Sequence, residues 1–396
     1  MDRERMNIRA LRRPLTLVAA LVLGFASSGR AQTVPAIDLG TLGGTSSNAE
    51  AVNVLNLVVG TSLTTGDIDS HAFSWTAAGG MRDLGTLGGS FSEALAVSDV
   101  GHIVGSSSTS TAPDAQTHAY SWTAAGGMRD LGALGGSLSQ AFFVNIFGQV
   151  VGNSATTGDA EFHAFSWTLA GGMRDLGTLG GSFSSAFRVN VLGQVLGDSS
   201  TPGDSAFHAF RWTPTSGMRD LGTLGGSFSS SSALSDLGQV VGFSSVTGDQ
   251  EAHAFLWTQS GGMRDLGLLG GNFSRAKALN ALGQIAGVST ISAGGPETHC
   301  FFWTQAAGMR DIGTLGGTSC EPFAISLRGQ VVGISALAGD TEAHAFSWTL
   351  SGGMRDLGTL GGTLSEAFAL NAQRRAVGFS NLAGDVAQHA VVWIIP

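Results

Sequence analysis

One phrase returns eight times along the chain. It begins Asp-Leu-Gly (Asp-Ile-Gly once), ends Leu-Gly-Gly, and is followed about thirty residues later by a segment of the type His-Ala-Phe-Ser-Trp-Thr. The opening aspartates, 45 to 47 residues apart, are Asp38, Asp83, Asp130, Asp175, Asp220, Asp265, Asp311 and Asp356. A repeat of this length predicts an array of equal units or a propeller. It constrains the fold far more than the function.

Each repeat contains a single tryptophan, and these account for every tryptophan in the chain: Trp75, Trp122, Trp167, Trp212, Trp257, Trp303, Trp348 and Trp393. In the segment around each one, His, Phe and Trp alternate with small residues, as in a strand whose two faces differ in size. A large face opposite a small face lets neighbouring sheets pack closely. We therefore predict that each tryptophan is a buried structural anchor, its ring gaining about 4 to 6 kcal/mol before entropy.

The turn residues divide one repeat into four strands. In the repeat around residues 183 to 224, glycine, proline, asparagine and aspartate separate apolar or alternating runs at 183–190, 194–199, 208–213 and 218–224. These residue types favour turns because they accept or fix unusual φ values. We expect each repeat to form a four-stranded antiparallel sheet.

The two ends of the chain complement each other. A fourth-strand sequence lies at 37–42, and a third-strand sequence lies at 389–393. Pairing them would complete one sheet and remove exposed edges. The sequence thus predicts an all-β, eight-bladed β-propeller of four-stranded antiparallel blades, closed by pairing of the N-terminal strand with the C-terminal blade. A linear solenoid is the alternative.

The first 31 residues differ from the repeats. Five arginines precede an apolar run at 15–26, and small residues follow it up to Ala31. This pattern predicts a secretory signal peptide at 1–31, cleaved after Ala31, and a single propeller domain at 32–396. The run is too short for a spanning anchor, so we expect no stable membrane span in the mature chain. The expected location is secreted, periplasmic or at the cell surface.

Charge narrows the set of partners. Removing residues 1–31 takes away six arginines and two acids, which lowers the net charge from −9 to −13. Nucleic acids and anionic membranes attract positive surfaces, so neither is an expected partner. Two cysteines, Cys300 and Cys320, are too few to build a disulfide scaffold. Whether the two cysteines form a single disulfide bond is left open.

The repeat motifs resemble the extracellular HAF family, named for its His-Ala-Phe triplet. Asp-Leu-Gly-Thr-Leu-Gly-Gly, Gly-Gln-Val-Val-Gly and His-Ala-Phe-Ser-Trp-Thr carry the resemblance, which covers residues 36–396. It implies secretion and a repeat fold. The family has no assigned activity, so it supplies no catalytic residues.

Polar pairs recur in the repeats. The histidines are His71, His118, His163, His208, His253, His299, His344 and His389, and seven of them follow an aspartate by four residues, as His71 follows Asp67 and His118 follows Asp114. A metal site is one hypothesis for such pairs. Near-identical copies favour a structural role, in which the aspartate caps its turn and binds the histidine. The repeated Arg-Asp dipeptide, as in Arg82-Asp83, is interpreted as a set of ion pairs.

Function is expected where the repeats differ. One variable column reads Asn48, Glu93, Gln140, Ser185, Ser230, Arg275, Glu321 and Glu366, which we place on a loop rim at one end of the propeller. With loop residues such as Glu161 and Glu251, it predicts an acidic rim beside an axial funnel. Asn48, Glu93, Gln140, Arg275, Glu321 and Glu366 are the candidate ligand contacts.

The sequence favours a secreted, non-catalytic binding or structural module whose partner is an extracellular glycan or protein. No catalytic motif and no cofactor site is evident, although Ca²⁺ would suit the acidic rim. One alternative is a carbohydrate-active enzyme, a hydrolase or lyase, with carboxylates at the funnel mouth. The other is a calcium-dependent adhesin.

Overall fold

A computed structural model describes residues 34–112 and 116–396, which belong to one compact unit. The predicted signal peptide and Asp114 lie outside the described residues. In the described part the chain forms short strands joined by turns, with no α-helix.

The strands are numbered in chain order. The first half of the chain contains β1 (Ala36–Asp38), β2 (Gly43–Val52), β3 (Val58–Thr64), β4 (Ser70–Thr76), β5 (Gly80–Asp83), β6 (Ser92–Val97), β7 (Ile103–Ser108), β8 (Thr117–Thr123), β9 (Gly127–Asp130), β10 (Gly135–Val144), β11 (Val150–Thr156), β12 (Phe162–Thr168), β13 (Gly172–Asp175), β14 (Ser184–Val189), β15 (Val195–Ser200), β16 (Phe207–Thr213) and β17 (Gly217–Asp220). The second half contains β18 (Gly225–Leu234), β19 (Val240–Val246), β20 (Ala252–Thr258), β21 (Gly262–Asp265), β22 (Ser274–Leu279), β23 (Ile285–Thr290), β24 (Thr298–Thr304), β25 (Gly308–Gly313), β26 (Gly316–Ile325), β27 (Val331–Leu337), β28 (Ala343–Thr349), β29 (Gly353–Gly358), β30 (Gly361–Leu370), β31 (Arg375–Leu382) and β32 (Gln388–Ile394).

The strands follow one scheme in every repeat. We count repeats one to eight by their first strands, β2, β6, β10, β14, β18, β22, β26 and β30; each first strand pairs with the second, the second with the third, and the third with the fourth, all antiparallel. In the fourth repeat these strands are β14 to β17, close to the predicted bounds. The fourth strand is shorter than predicted and ends at Asp220, because its carboxylate accepts a hydrogen bond from Gly222 N at 2.7 Å, where the chain turns at φ +75°.

The predicted packing of a large face on a small face is confirmed. Phe73 and Trp75 of the first repeat pack against Ala390 and Val392 of β32. On the other face of the same sheet, Ala72 packs under Tyr120 and Trp122 of the second repeat. Every tryptophan is at least nine-tenths buried, with exposures from 0% to 9%. The aromatic rings therefore fill the spaces between successive sheets.

The first strands of successive repeats contact one another, and β30 contacts β2 in the same way. Each first strand also contains an irregularity, such as the register shift between Ala49 and Ala51 opposite β3. Such a bulge exposes an additional side chain on one strand. The first strand of each sheet therefore presents two neighbouring side chains opposite the second strand.

The two ends of the chain meet at a junction of the same kind. Strand β1 pairs antiparallel with β32, and Leu39 N donates to Ala390 O at 2.9 Å. Ala390 N in turn donates to Ser47 Oγ at 2.8 Å. At a junction inside the chain, Leu176 N donates to Ala164 O at 2.9 Å, and Ala164 N donates to Ser184 Oγ at 2.7 Å. The contacts between the chain ends thus repeat those between neighbouring repeats.

The junction between repeats six and seven contains a disulfide. Cys300 and Cys320 are bridged, twenty residues apart. Cys300 occupies the Ala position of the His-Ala-Phe triplet, and Cys320 occupies the position of the serine that accepts from this alanine's N–H elsewhere, as in Ala254 and Ser274. A covalent bond therefore replaces a hydrogen bond that holds other junctions together.

A chain that starts at residue 44 lacks β1 and the buried side chain of Leu39. Compared with a chain that starts at residue 32, we expect its melting temperature to fall by on the order of 5 °C or more, because a buried leucine and several hydrogen bonds are lost. Differential scanning calorimetry of the two chains measures this difference. Equal melting temperatures would show that β1 does not stabilise the junction.

The double variant Cys300→Ala with Cys320→Ser rebuilds the Ala–Ser pair of the other junctions. We expect it to be less stable than the oxidised wild type by about 2 to 3 kcal/mol, since closing a loop of this length contributes about 3 kcal/mol and the restored hydrogen bond recovers part of that. Urea unfolding measures the difference. Cys300→Ala with Cys320→Ala is the control and should be the less stable of the two; the reverse order would contradict the equivalence of the two contacts.

Candidate functional site on the inner strands

The repeated histidines bind a different aspartate from the one predicted. His71 Nδ1 lies 2.8 Å from a carboxylate oxygen of Asp83 on the fourth strand, and His389 Nδ1 lies 2.9 Å from Asp38. Asp67 instead accepts from Thr45 N and Thr45 Oγ1, at 2.7 and 2.9 Å. The expected Asp-His pairing four residues apart is therefore wrong. The antiparallel register of the third and fourth strands brings the other aspartate beside the histidine ring.

The predicted Arg-Asp ion pairs are also corrected. The aspartates of these dipeptides bind histidine, as Asp83 does, while four of the arginines, Arg82, Arg174, Arg219 and Arg264, stack on the tryptophan of the next repeat. The guanidinium carbon lies 5.2 Å from the ring centre in Arg82–Trp122 and 4.9 Å in Arg174–Trp212. Such cation–π contacts add to the packing between sheets. Both polar motifs thus belong to the repeating frame.

The variable column lies in the first strands and not in rim loops. Its members are Asn48 in β2, Glu93 in β6, Gln140 in β10, Ser185 in β14, Ser230 in β18, Arg275 in β22, Glu321 in β26 and Glu366 in β30. We call these eight residues the inner belt. The rim prediction is wrong on this point: in the fourth repeat, Ser185 lies inside the run 183–190 that was itself predicted to be a strand, and β14 occupies Ser184–Val189. Side chains of the belt consequently meet across the inner edges of neighbouring sheets.

Repeats two and three form one polar cluster of the belt. Glu93, only 4% exposed, accepts from Ser106 Oγ at 2.8 Å and from Gln140 Nε2 at 2.6 Å. Tyr120, which replaces the Phe of the triplet, is fully buried, and its hydroxyl has no hydrogen-bond partner. Burial and the nearby carboxylate of Glu93 raise the pKa of Tyr120 well above its usual value. The structure brings together Glu93 and Gln140, both predicted, with a tyrosine that was not.

Asp198 of β15 is a buried acid that the sequence reading did not single out. It accepts from Ser230 Oγ at 2.6 Å and from Ser231 N and Ser231 Oγ at 2.8 and 2.7 Å, so it joins repeats four and five. Burial raises its pKa to about 6, partly offset by these hydrogen bonds and by Arg275. The corresponding second-strand residues are uncharged, as in Thr61. That departure was the signal that could have identified it.

Two cations lie on the first strand of repeat six. Arg275 has its guanidinium carbon 5.1 Å from the ring centre of Phe243, and Lys277 forms an ion pair with Glu321. Glu366, in the last repeat, is only 6% exposed. Charge is thus distributed unevenly around the inner strands, with carboxylates in repeats one, two, seven and eight and cations in repeats four and six.

Aromatic rings lie beside these charges. The ring centres of Phe142 and Phe187 are 6.0 Å apart, and those of Phe323 and Phe368 are 5.4 Å apart. All four belong to first strands, two residues after a member of the inner belt. Together the inner strands offer carboxylates, cations and half-buried rings within a short distance. This combination suits a chain-like ligand that carries polar, charged and apolar groups in succession.

Within residues 34–112 and 116–396, no group of three or more His, Cys, Asp or Glu side chains is arranged to hold a metal ion. The same part of the chain has no helix long and apolar enough to cross a membrane.

No protein-family model matches the chain, and no curated protein matches it either. Solved structures do resemble it. The Dos1 propeller is 10% identical, with a TM-score of 0.52, and the match covers 92% of this chain and 95% of that one. Dipeptidyl peptidase 4 of Porphyromonas gingivalis is 10% identical with a TM-score of 0.53, and a puromycin hydrolase mutant complexed with PGG is 13% identical with a TM-score of 0.51.

These likenesses support a β-propeller fold. The two enzyme matches cover 87% and 89% of this chain, but only 57% and 59% of the enzymes' chains. Two of the three similar structures are chains of enzymes, a dipeptidyl peptidase and a puromycin hydrolase. The expectation of a non-catalytic binding or structural module is therefore wrong.

Asp198 predicts a specific pH dependence of stability. Its folded pKa of about 6 exceeds the ordinary value of 3.8, so the folded state binds more protons between these values. Stability should fall as pH rises from about 4 to 6, by up to about 3 kcal/mol, and remain lower above that range. Asp198→Asn should abolish this decline, as urea unfolding between pH 4 and 8 would measure.

Asp204→Asn is the matched control. The pKa of Asp204 is lowered by hydrogen bonds from Ser200 and Ser182, so its contribution is present above the ordinary pKa and is lost in acid. Its replacement should therefore lower stability at neutral pH and leave the decline between pH 4 and 6 in place. A wild-type profile that shows no decline between pH 4 and 6, or one that Asp198→Asn leaves unchanged, would contradict the assignment.

Proposed function

We propose that this chain is a secreted, closed eight-bladed propeller that serves a peptidase by binding peptide segments on its inner belt. The catalytic groups of the reaction would come from a separate polypeptide segment or partner. The observation that carries the proposal is the inner belt itself, where carboxylates, cations and aromatic rings lie side by side within a repeated frame.

The contacts at the chain ends support the closed ring. β1 pairs with β32, β30 contacts β2, and Asn371 Nδ2 donates to Asn53 O at 3.0 Å. The same side-chain bond joins repeats inside the chain, where Asn145 Nδ2 donates to Asn190 O at 3.0 Å. An open arrangement would leave these donors and strand edges without partners. The recurrence of such contacts around the ring supports a count of eight blades.

The chemistry of the inner strands supports a peptide ligand. A peptide presents backbone amides, both signs of charge and apolar side chains along one extended chain. Gln140 and the serines of the belt suit the amides, Arg275 and Glu93 suit opposite charges, and Phe142 with Phe187 suits an apolar side chain. The likeness to peptidase propellers supports the same class of ligand.

Secretion remains part of the proposal. It is supported by the arginine-rich and apolar N-terminal sequence and by the resemblance to an extracellular repeat family. An exported propeller that serves a peptidase would act on extracellular or periplasmic polypeptides.

A mixture of peptides from a tryptic digest of a defined protein tests the proposal. After incubation with the full chain and removal of unbound peptides by size exclusion, mass spectrometry should find a retained subset of uncleaved peptides. Arg275→Ala should change the composition of that subset by reducing acidic peptides several-fold, because Arg275 is the cation of the belt. Retention of no peptide would overturn the proposal.

Arg219→Ala is the control. Arg219 stacks on Trp257 between sheets, 5.5 Å from the ring centre, and lies outside the inner belt. Its loss should leave the retained peptides unchanged. If wild type cleaves the peptides by itself, the assignment of catalysis to a separate segment or partner is wrong.

A further inference from the structure

A ring of exposed apolar side chains occupies one end of the fold. The tips of the turns that join first and second strands carry, in six of the eight repeats, an apolar residue between 59% and 76% exposed: Leu55, Val100, Phe147, Leu192, Leu237 and Leu282. We call this surface the hairpin face. Large exposed apolar surface on a soluble protein marks an interaction site. At this position the seventh repeat has Arg328, which follows Leu327, itself 59% exposed, and the eighth repeat has Gln373.

The hairpins are held side by side and form a rigid surface. Asn145 Nδ2 donates to Asn190 O at 3.0 Å, and Asn190 Nδ2 donates to Ser235 O at 3.1 Å. Because these bonds join the bases of adjacent hairpins, the apolar tips have fixed spacing. A preformed surface loses little conformational freedom when it binds.

The same face contains a cavity. About 180 Å³ in volume, it lies between the hairpins of repeats two to five, and its lining includes Phe143, Ile146 and Val191. Two exposed carboxylates, Asp99 and Asp236, border it. An apolar cavity of roughly 150 Å³ accommodates a benzene-sized group. This cavity therefore has room for a single large apolar side chain with a cation beside it.

The opposite part of the hairpin face carries that combination. Leu327, 59% exposed, is followed by the exposed Arg328, and Arg374 is exposed on the next hairpin. These residues belong to repeats seven and eight, four repeats away from repeats three and four. In a ring of eight repeats, the apolar and basic part lies diametrically across from the apolar and acidic cavity. The face is thus complementary to itself in shape and charge.

We propose that two copies of this chain associate through their hairpin faces, with Leu327 of each copy in the cavity of the other and Arg328 and Arg374 beside Asp236 and Asp99. This inference uses the eight-repeat ring of the proposed function but not its peptide site. A two-fold axis lets each copy make both contacts, as in most soluble dimers. The acidic residues on this face and the net charge of −9 disfavour an anionic bilayer as the occupant.

Sedimentation velocity of the full chain over a range of concentrations tests this pairing. Wild type should reach the mass of a dimer, and Leu327→Asp should raise the dissociation constant at least about tenfold, because a charge would enter an apolar cavity. Ile68→Asp is the control, since Ile68 is 81% exposed but lies in a loop between second and third strands, at the other end of the strands. It should leave the dimer intact.

Charge reversal provides the second readout. Arg328→Asp and Asp236→Arg should each weaken self-association, and mixing the two variants should restore a dimer that contains one copy of each. Circular dichroism would check that each variant is folded. The proposal is overturned if wild type stays monomeric, if Leu327→Asp leaves the dimer unchanged, or if mixing restores nothing.

Two further measurements distinguish a lipid-binding role of the hairpin face from dimer formation, and failure of the dimer from failure of the peptide site. Co-sedimentation of monomeric wild type with phosphatidylcholine vesicles, lost in Leu327→Asp, would show that the hairpin face meets lipid and would overturn the dimer. Peptide retention measured on the same variants should be unchanged, because the hairpin tips lie outside the inner belt. If wild type is monomeric but still retains peptides, the dimer is refuted and the peptide-binding proposal is not.

Discussion

The fold depends on one contact repeated between successive sheets: the aromatic face of one third strand against the small-residue face of the previous one. Phe73 and Trp75 pack on Ala390 and Val392, and the other repeats use equivalent residues. The side chains that differ in size between the two faces set how closely the sheets approach. Hydrogen bonds from Ala N–H groups to serine hydroxyls fix the register of the same junctions, with the Cys300–Cys320 bridge as the covalent exception.

This regular frame leaves the inner strands and the hairpin tips free to vary. His, Asp, Arg and Trp form pairs that recur along the chain, so they stabilise each junction and give no one repeat a distinct chemistry. On the inner strands, by contrast, Glu93, Asp198 and Arg275 have different partners in different repeats. A ligand that meets the inner belt therefore encounters an asymmetric surface on a nearly symmetric frame.

The sequence predicted the strands and the role of the aromatic residues because side-chain alternation and turn residues are local signals. It also predicted the pairing of β1 with β32, since both ends carry recognisable pieces of the same repeat. It did not predict that His71 binds Asp83, because the register between two strands is set by hydrogen bonds across the sheet. Asp198 was missed for a related reason, as its partners Ser230 and Ser231 lie in another repeat.

We infer that the junction between the chain ends is equivalent to the junctions within the chain. Hydrogen–deuterium exchange of backbone amides tests it most directly, by comparing Leu39 and Ala390 with Leu176 and Ala164, which make the same hydrogen bonds at an internal junction. We expect both pairs of amides to be similarly protected from exchange, because opening either junction would break the same contacts. Exchange at Leu39 and Ala390 that is orders of magnitude faster would contradict it.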